Sequence, residues 1–293
     1  MFFGGIEAGG TKFIVGIGDS SGLITDHVEI PTTSPGETIS IVVDYFLAKR
    51  KSIKIDRIGL ASFGPVDLNP KSTTYGYITN TPKLDWMNFD ILHELEKALL
   101  IPVVIDTDVN AAALAEYEWG AAQGKDPIVY LTVGTGIGGG VIVNGKPLHG
   151  LSHPEIGHLR IRQSKIDYKF SGICPFHKNC MEGLASGPAI FARWGVLGQD
   201  LSPDHIGWEL EAEYLAEGIS NLILTISPEI IILGGGVMKN DFLFPMIRRK
   251  VKENLNNYVT KKEILDCNDV YIIPPGLKSF SGLAGAIALA SDN

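Results

Sequence analysis

"IVYLTVGTGIGGGVIV", residues 128–143, decides the fold. An apolar run enters a Gly134-Thr135-Gly136 turn, a second apolar run leaves it, and a tight Asn144-Gly145 turn follows. The chain opens on the same design, since "FFGGIEAGGTKFIVGIGD" (2–19) reads as strand, glycine turn and strand. Gly10 and Gly139 stand close to half the chain apart, so duplication of one strand–turn–strand unit is the simplest account. A third glycine turn, Gly234-Gly235-Gly236, follows the apolar run at 230–233 and opens toward a helix.

A glycine turn at a strand end lets backbone N–H groups approach an anion, because no Cβ intervenes. Gly9-Gly10-Thr11-Lys12 adds a hydroxyl and a cation, and Thr132 and Thr135 add hydroxyls to the second turn. The third turn suits an adenosine moiety rather than phosphates. Any one of these reads equally well as a tight turn in a glycine-rich chain. Three together, each after an apolar strand, point to a nucleotide. None matches the P-loop pattern G-x-x-x-x-G-K-[ST]. "GTGIGG" (134–139) runs straight into a strand, which disfavours a dinucleotide-binding dehydrogenase.

Working outward, strands are expected at 23–32, 55–66 and 102–108, and helices at 36–51, 89–99, 109–122, 204–227 and the C-terminus. Strands alternating with helices define an α/β protein. At 293 residues, two lobes are expected rather than one core. Net charge is −8, which argues against nucleic-acid binding through phosphate neutralisation. No apolar run is long enough to span a bilayer, and the N-terminus lacks the basic and apolar regions of a signal peptide. Three cysteines fit a reducing compartment, and cytoplasm is the expected location.

Two turns set in hairpins, one per lobe, suit the duplicated, ribonuclease H-like architecture of actin and sugar kinases, with nucleotide in the cleft between lobes. "IEAGGTKF" (6–13), "SFGPVD" (62–67), "TDVNAAALAE" (107–116), "TVGTGIGGG" (132–140), "HPEIGH" (153–158), "CPFHKNCMEGLASGPAI" (174–190) and "IILGGGV" (231–237) together resemble the ROK family of sugar kinases and related repressors. The resemblance spans nearly the whole chain in order. It is strongest to the bacterial fructokinase branch, through SFGPVD, the Thr81–Trp86 segment and the cysteine stretch.

The resemblance implies an ATP-dependent hexose kinase, most simply one making fructose 6-phosphate. A kinase for glucose, mannose, allose or an amino sugar is the alternative, as is a sugar-responsive regulator. The regulator reading fits less well, because the first phosphate turn begins within ten residues of Met1 and no helix-turn-helix precedes it. A small lobe at 1–108, completed by a helix at 282–293, and a large lobe at 109–281 with a zinc loop at 153–182 are expected, as is a homodimer.

Phosphoryl transfer needs a base at the attacking hydroxyl and neutralised phosphates. Asp108 follows a buried strand and precedes a helix, so from residues alone it is either a base or an N-cap, with Asp106 as competitor. The resemblance makes Asp108 the base. Gly64, Pro65, Asn80, Asn110, Glu155 and His158 are the expected sugar contacts. Gly9, Gly10, Thr11, Lys12, Thr132, Gly134, Thr135, Gly136, Pro188, Gly235, Gly236 and Lys239 are expected around ATP. Glu7 stands where many family members carry Asp, and is expected to reach Mg²⁺ through water.

"GICPFHKNC" (172–180) places Cys174, His177 and Cys180 at i, i+3 and i+6, with His158 sixteen positions before Cys174. Four N/S ligands suit tetrahedral zinc, and a closed set of four implies a structural ion. A redox pair would more often read C-x-x-C, the zinc-deaminase signature is only half present, and two buried unliganded thiols remain open on spacing alone. The resemblance implies the zinc site and makes His158 its fourth ligand, with His153 as rival. Cys267 is read as a plain thiol.

Overall fold

The computed structural model describes residues 1–81, 83–266 and 269–291. Pro82, in the Thr81–Trp86 segment, and Cys267 lie outside the described residues. The chain divides into two compact units: Met1–Gly124 with Gly145–Pro154 and Gly276–Asn293, and Lys125–Asn144 with Glu155–Pro275.

The first unit holds strands β1 (Phe2–Ala8), β2 (Lys12–Asp19), β3 (Ile24–Pro31), β4 (Ile55–Ser62), β5 (Tyr77–Ile78), β6 (Phe89–Asp90), β7 (Val103–Thr107) and β10 (Lys146–Pro147). Its helices are α1 (Pro35–Lys49), α2 (Ile91–Leu99), α3 (Asp108–Glu118) and α9 (Ser281–Ser291). The main sheet runs β3-β2-β1-β4-β7. β1 and β2 are antiparallel, with Glu7 opposite Ile14, while β4 lies parallel to β1 and β7 parallel to β4. Apolar side chains alternate into a core of Ile6, Phe13, Val15, Leu60 and Ile105.

Helix α2 shows why these segments are helical. Ile91, Leu92, Leu95 and Leu99 form its buried stripe, the Asp90 side chain accepts from His93 N at the N-cap, and Leu100 at φ 53° ends it. The short helical turn Leu84–Trp86 sets Trp86 beside Phe13, Phe63 and Phe89 and lets its indole N–H donate to Thr33 O at 2.9 Å. Truncating so buried a tryptophan costs roughly 3–5 kcal/mol.

α9 packs on β1, β4 and α3. Two glycines permit this closeness, because a Cβ on Gly59 would strike Ala286 O and one on Gly285 would strike Ala111 O. That packing keeps α3 with the first unit, Met1–Gly124.

The second unit contains β8 (Ile128–Val133), β9 (Ile137–Val143), β11 (Ile230–Gly234) and β12 (Ile272–Ile273). Its helices are α4 (Met181–Ala185), α5 (Gly187–Trp194), α6 (Ile206–Ile226), α7 (Leu243–Leu255) and α8 (Lys262–Leu265). β8 and β9 are antiparallel, β11 is parallel to β8, and β12 is parallel to β11. The antiparallel pair extended by two parallel strands is therefore present in each unit. α7 buries Leu243, Phe244, Ile247, Val251 and Leu255, a helical stripe that a reading led by glycine turns passes over. No helix among the described residues is long and apolar enough to cross a membrane.

Candidate active site

The junction of β7 and α3 carries the densest polar chemistry. The Thr107 hydroxyl, not the Asp108 carboxylate, accepts from Asn110 N at 3.1 Å and caps α3. Asp108 thus begins the helix without serving as its cap, and its Oδ1 accepts from its neighbour Val109 N at 2.9 Å. Asp106, its competitor, is engaged on both oxygens. Oδ1 accepts from Thr107 N at 2.7 Å and from Asn110 Nδ2 at 2.8 Å, and Oδ2 accepts from His149 Nε2 at 3.0 Å. A buried carboxylate satisfied in this way is a structural acceptor rather than a base awaiting a proton.

Glu7 sits on β1 with Asp108 and Lys12 nearby. Burial, reinforced by the Asp108 charge, raises its carboxyl to about 7, against the lowering influence of Lys12 and of the Leu283 backbone N–H. Its Oε2 is shut off from solvent without a hydrogen-bond partner. Gly282 at the start of α9 lies against this carboxyl, and a Cβ there would collide with it.

The first glycine turn is closed by Gly9 N donating to Lys12 O at 3.0 Å, and Thr32 Oγ1 donates to Gly9 O at 2.8 Å. Gly10 lies close to the Lys83 side chain, Thr11 is exposed, and Lys12 pairs with Glu29 at 2.5 Å. Pro65 O accepts from Thr79 N at 2.8 Å and from Thr79 Oγ1 at 3.1 Å, which ties the exposed Asn80 to the Gly64–Pro65 edge. His153 Nε2 accepts from Val66 N at 3.4 Å on the same edge, so this histidine is engaged away from the cysteines.

In the second unit the remaining turns converge. Gly187 N donates to Gly134 O at 2.8 Å, placing Pro188 at the start of α5 beside the Gly134–Gly136 turn. Gly235, at φ 93°, fits against Val133, and Gly236 N lies near Gly134. Glu182 Oε2 accepts from Ile137 N at 3.0 Å and braces the turn from below. The Ser186 hydroxyl is buried without a partner, Thr135 is exposed at the tip, Thr132 is half-buried at the end of β8, and Lys239 is exposed after the third turn.

His158, Cys174, His177 and Cys180 gather with their ligand atoms within 4.8 Å of one another. The Sγ–Nδ1 separations from Cys174 to His158 and His177 are both 3.7 Å, and Cys180 to His158 is 3.6 Å. Zn–S and Zn–N bonds of about 2.3 and 2.0 Å at a tetrahedral angle separate the ligand atoms by about 3.5 Å, so the donors fit such an ion. A tight loop holds them, with Cys174 N and Lys178 O at 3.2 Å, Lys178 N and Cys174 O at 2.9 Å, and His177 N aimed at Cys174 Sγ. Burial, with Cys174 alongside, pushes the Cys180 thiol up to about 11, a cost that coordination by a divalent cation reverses. Glu155 is exposed just before the helical turn that carries His158.

Two residues outside the expected set matter at this site. His149 lies thirty-nine positions from Asn110, and nothing in its neighbours marks it. Glu116 reads in sequence as an ordinary helix-surface glutamate. It is buried, and its carboxylate accepts from Ala121 N, Gly276 N, Leu277 N and Ser281 Oγ at 2.8 to 3.0 Å, so it fixes the approach to α9.

A strand–turn–strand device repeated in two α/β units, one with paired carboxylates and the other with a Cys₂His₂ cluster, defines the sugar-kinase class of the actin-like fold. The chain belongs to the ROK family, whose sequence profile matches residues 3–293. A Bacillus subtilis relative is 48% identical over 287 residues, covering 98% of this chain and 94% of its own. A fructokinase of Lactococcus lactis subsp. cremoris is 45% identical, covering 95% of this chain and 92% of its own. Among solved structures, a ROK hexokinase from Thermus thermophilus superposes with a TM-score of 0.81 at 29% identity, covering 99% of this chain and 98% of its own.

Proposed function

We propose that the protein is an ATP-dependent fructokinase that moves the γ-phosphoryl group of ATP to the 6-hydroxyl of fructose. One observation carries the assignment of roles: Asp108 opens α3 directly after β7, Thr107 rather than Asp108 caps that helix, and the Asp108 charge acts on Glu7 at the first turn. The similarity to the Lactococcus fructokinase supports the choice of sugar.

Asp108 takes the proton of the hydroxyl as its oxygen bonds to the γ-phosphorus and the bond from that phosphorus to the bridging oxygen breaks, leaving ADP. Gly64, Pro65, Asn80, Asn110 and Glu155 hold the sugar through its hydroxyls. His158 acts twice: Nδ1 faces the thiolates, and coordination there fixes the tautomer so that Nε2–H donates to a hydroxyl. Gly9, Gly10, Thr11, Lys12, Thr132, Gly134, Thr135 and Gly136 hold phosphates, and Pro188, Gly235, Gly236 and Lys239 border the nucleoside.

An orphaned carboxylate oxygen beside a second carboxylate is an arrangement a cation compensates, so Glu7 is the residue that meets Mg²⁺, through water. The ion supplies neutralisation of phosphate charge. Zinc at the Cys₂His₂ cluster is structural and orders the loop carrying Glu155 and His158. The two units serve as the two lobes, in a cytoplasmic homodimer. A coupled ADP-release assay over a hexose panel tests the reading: fructose should give the highest kcat/KM, and turnover of none of the sugars would remove it.

A further inference from the structure

Asn110 is fully buried, and the direction of its carboxamide is decided by one neighbour. Nδ2 donates to Asp106 Oδ1 at 2.8 Å, and a flipped amide would instead set oxygen against carboxylate oxygen. Oδ1 therefore faces away from Asp106, and it is buried with no hydrogen-bond partner. Asp106 itself is held by Thr107 N at 2.7 Å and by His149 Nε2 at 3.0 Å on the opposite oxygen. His149 comes from the segment after β10, and its ring is 41% exposed while the Asp106 side chain is 5% exposed. The imidazole thus closes the open side of the carboxylate, with Nε2 also 3.4 Å from Asn110 Nδ2.

We propose that Asp106 and His149 are a positioning pair that locks the Asn110 carboxamide with its buried, unpartnered Oδ1 turned away from Asp106, so that this oxygen accepts only from a ligand hydroxyl that donates. The inference rests on the reading of Asn110 as a sugar contact. Asp106 takes one N–H of the amide and so decides which side the oxygen is on, and an ether, carbonyl or carboxylate oxygen presented to Oδ1 would leave two acceptors face to face. His149 keeps Asp106 from rotating toward water, which would release Nδ2 and let the amide turn. The pair selects for a hydroxyl donor at one carbon of the sugar and leaves the nucleotide untouched.

The test compares His149→Ala, His149→Gln and Asp106→Asn with the wild type, measuring kcat and KM for fructose, KM for Mg-ATP and the thermal midpoint. His149→Ala should raise the sugar KM about five- to tenfold with the Mg-ATP KM within about twofold, and His149→Gln, which restores an N–H near the same place, should recover most of it. In an Asn110→Ala background, His149→Ala should add nothing further to the sugar KM. An unshifted sugar KM in His149→Ala, equal shifts in both KM values, or full additivity with Asn110→Ala would each overturn the inference while leaving the kinase reading intact. A wild-type enzyme that phosphorylates no hexose would overturn both.

Discussion

The hairpin β1–β2 and the hairpin β8–β9 are two copies of one device used for different ends. Each pairs antiparallel strands around a glycine turn, and each is extended by two parallel strands. Around the first turn the sequence places charge: Glu7 on the strand, Lys12 after the turn, and Asp108 close enough to act on Glu7. Around the second turn there is almost none beyond Glu182, which is spent bracing Ile137 N. The second unit instead gathers a four-donor cluster that ties together segments with little regular structure. The charged side chains thus stand beside the first turn, while the four-donor cluster belongs to the unit of the second.

The sharpest way to break that contrast is Asp108→Asn. It should lower kcat roughly 10²- to 10⁴-fold, the range of lost acid–base catalysis, with the thermal midpoint and fructose binding nearly unchanged. Because Thr107 holds the α3 cap, losing the Asp108 charge need not unravel the helix. Steady-state kinetics beside isothermal titration with fructose separate the two readouts. Near-wild-type turnover would move the chemistry out of the first unit.

Removing the staple is the mirror experiment. Cys174→Ser, or exhaustive treatment with a zinc chelator, should destabilise the second unit by several kcal/mol, as expected where metal binding and folding are linked. Hydrogen exchange should show lost protection at 158–183, while β1, β4 and β7 keep theirs. The sugar KM should rise through His158, whose ring then has no fixed tautomer. Equal loss of protection in both units would contradict a local staple.

A packing change should cost less and strike the other unit. Gly285→Ala places a methyl against Ala111 O, between α9 and the helix that begins at Asp108. Such overpacking costs typically 1–3 kcal/mol. Any shift should open α3 relative to β7, and kcat should fall with it. Differential scanning calorimetry with kinetics checks this, and an unchanged midpoint would mean that α9 yields freely.

The repeated hairpins were legible because glycine turns after apolar strands are local patterns, written within ten residues of each other. The Cys₂His₂ spacing was likewise local, and only His158 needed information from outside the stretch. What escaped was set by distance along the chain. Thr107 and Asp108 are both good N-caps, and only the observed bond from Asn110 N separates them. Glu116 looks solvated in an Ala-rich helix, yet its partners lie at 276–281. The close packing of α3 on α9 is likewise set far downstream, at Gly285, where a Cβ would meet Ala111 O.

The last comparison concerns one buried carboxyl in each unit. Glu211 on α6 is buried with both oxygens unpartnered, and burial holds its pKa well above the usual carboxylate range despite the opposing charge of Arg193. Arg193 is itself engaged by Asp167 at 3.1 Å and by Leu184 O at 2.8 Å, so it offers Glu211 charge without a bond. Glu7 is raised to about 7 by burial and Asp108. A carboxyl whose folded pKa lies above its unfolded value contributes stability below the unfolded pKa, near 4.5 here, and loses it as pH rises through the folded value. Both glutamates should therefore weaken the protein progressively above pH 4.5, with the loss at Glu7 complete once the pH is past about 7. Replacing either by the neutral isostere should raise the thermal midpoint at pH 8 by about 2–4 °C per kcal/mol gained, and change little at pH 4.5. The two should part in kinetics. Glu211→Gln should leave kcat and both KM values alone, whereas Glu7→Gln should raise the KM for Mg-ATP, because the charge it removes lies beside Asp108 at the first turn. If Glu211→Gln impaired turnover as much as Glu7→Gln did, reactive charge would not be confined to one copy of the hairpin.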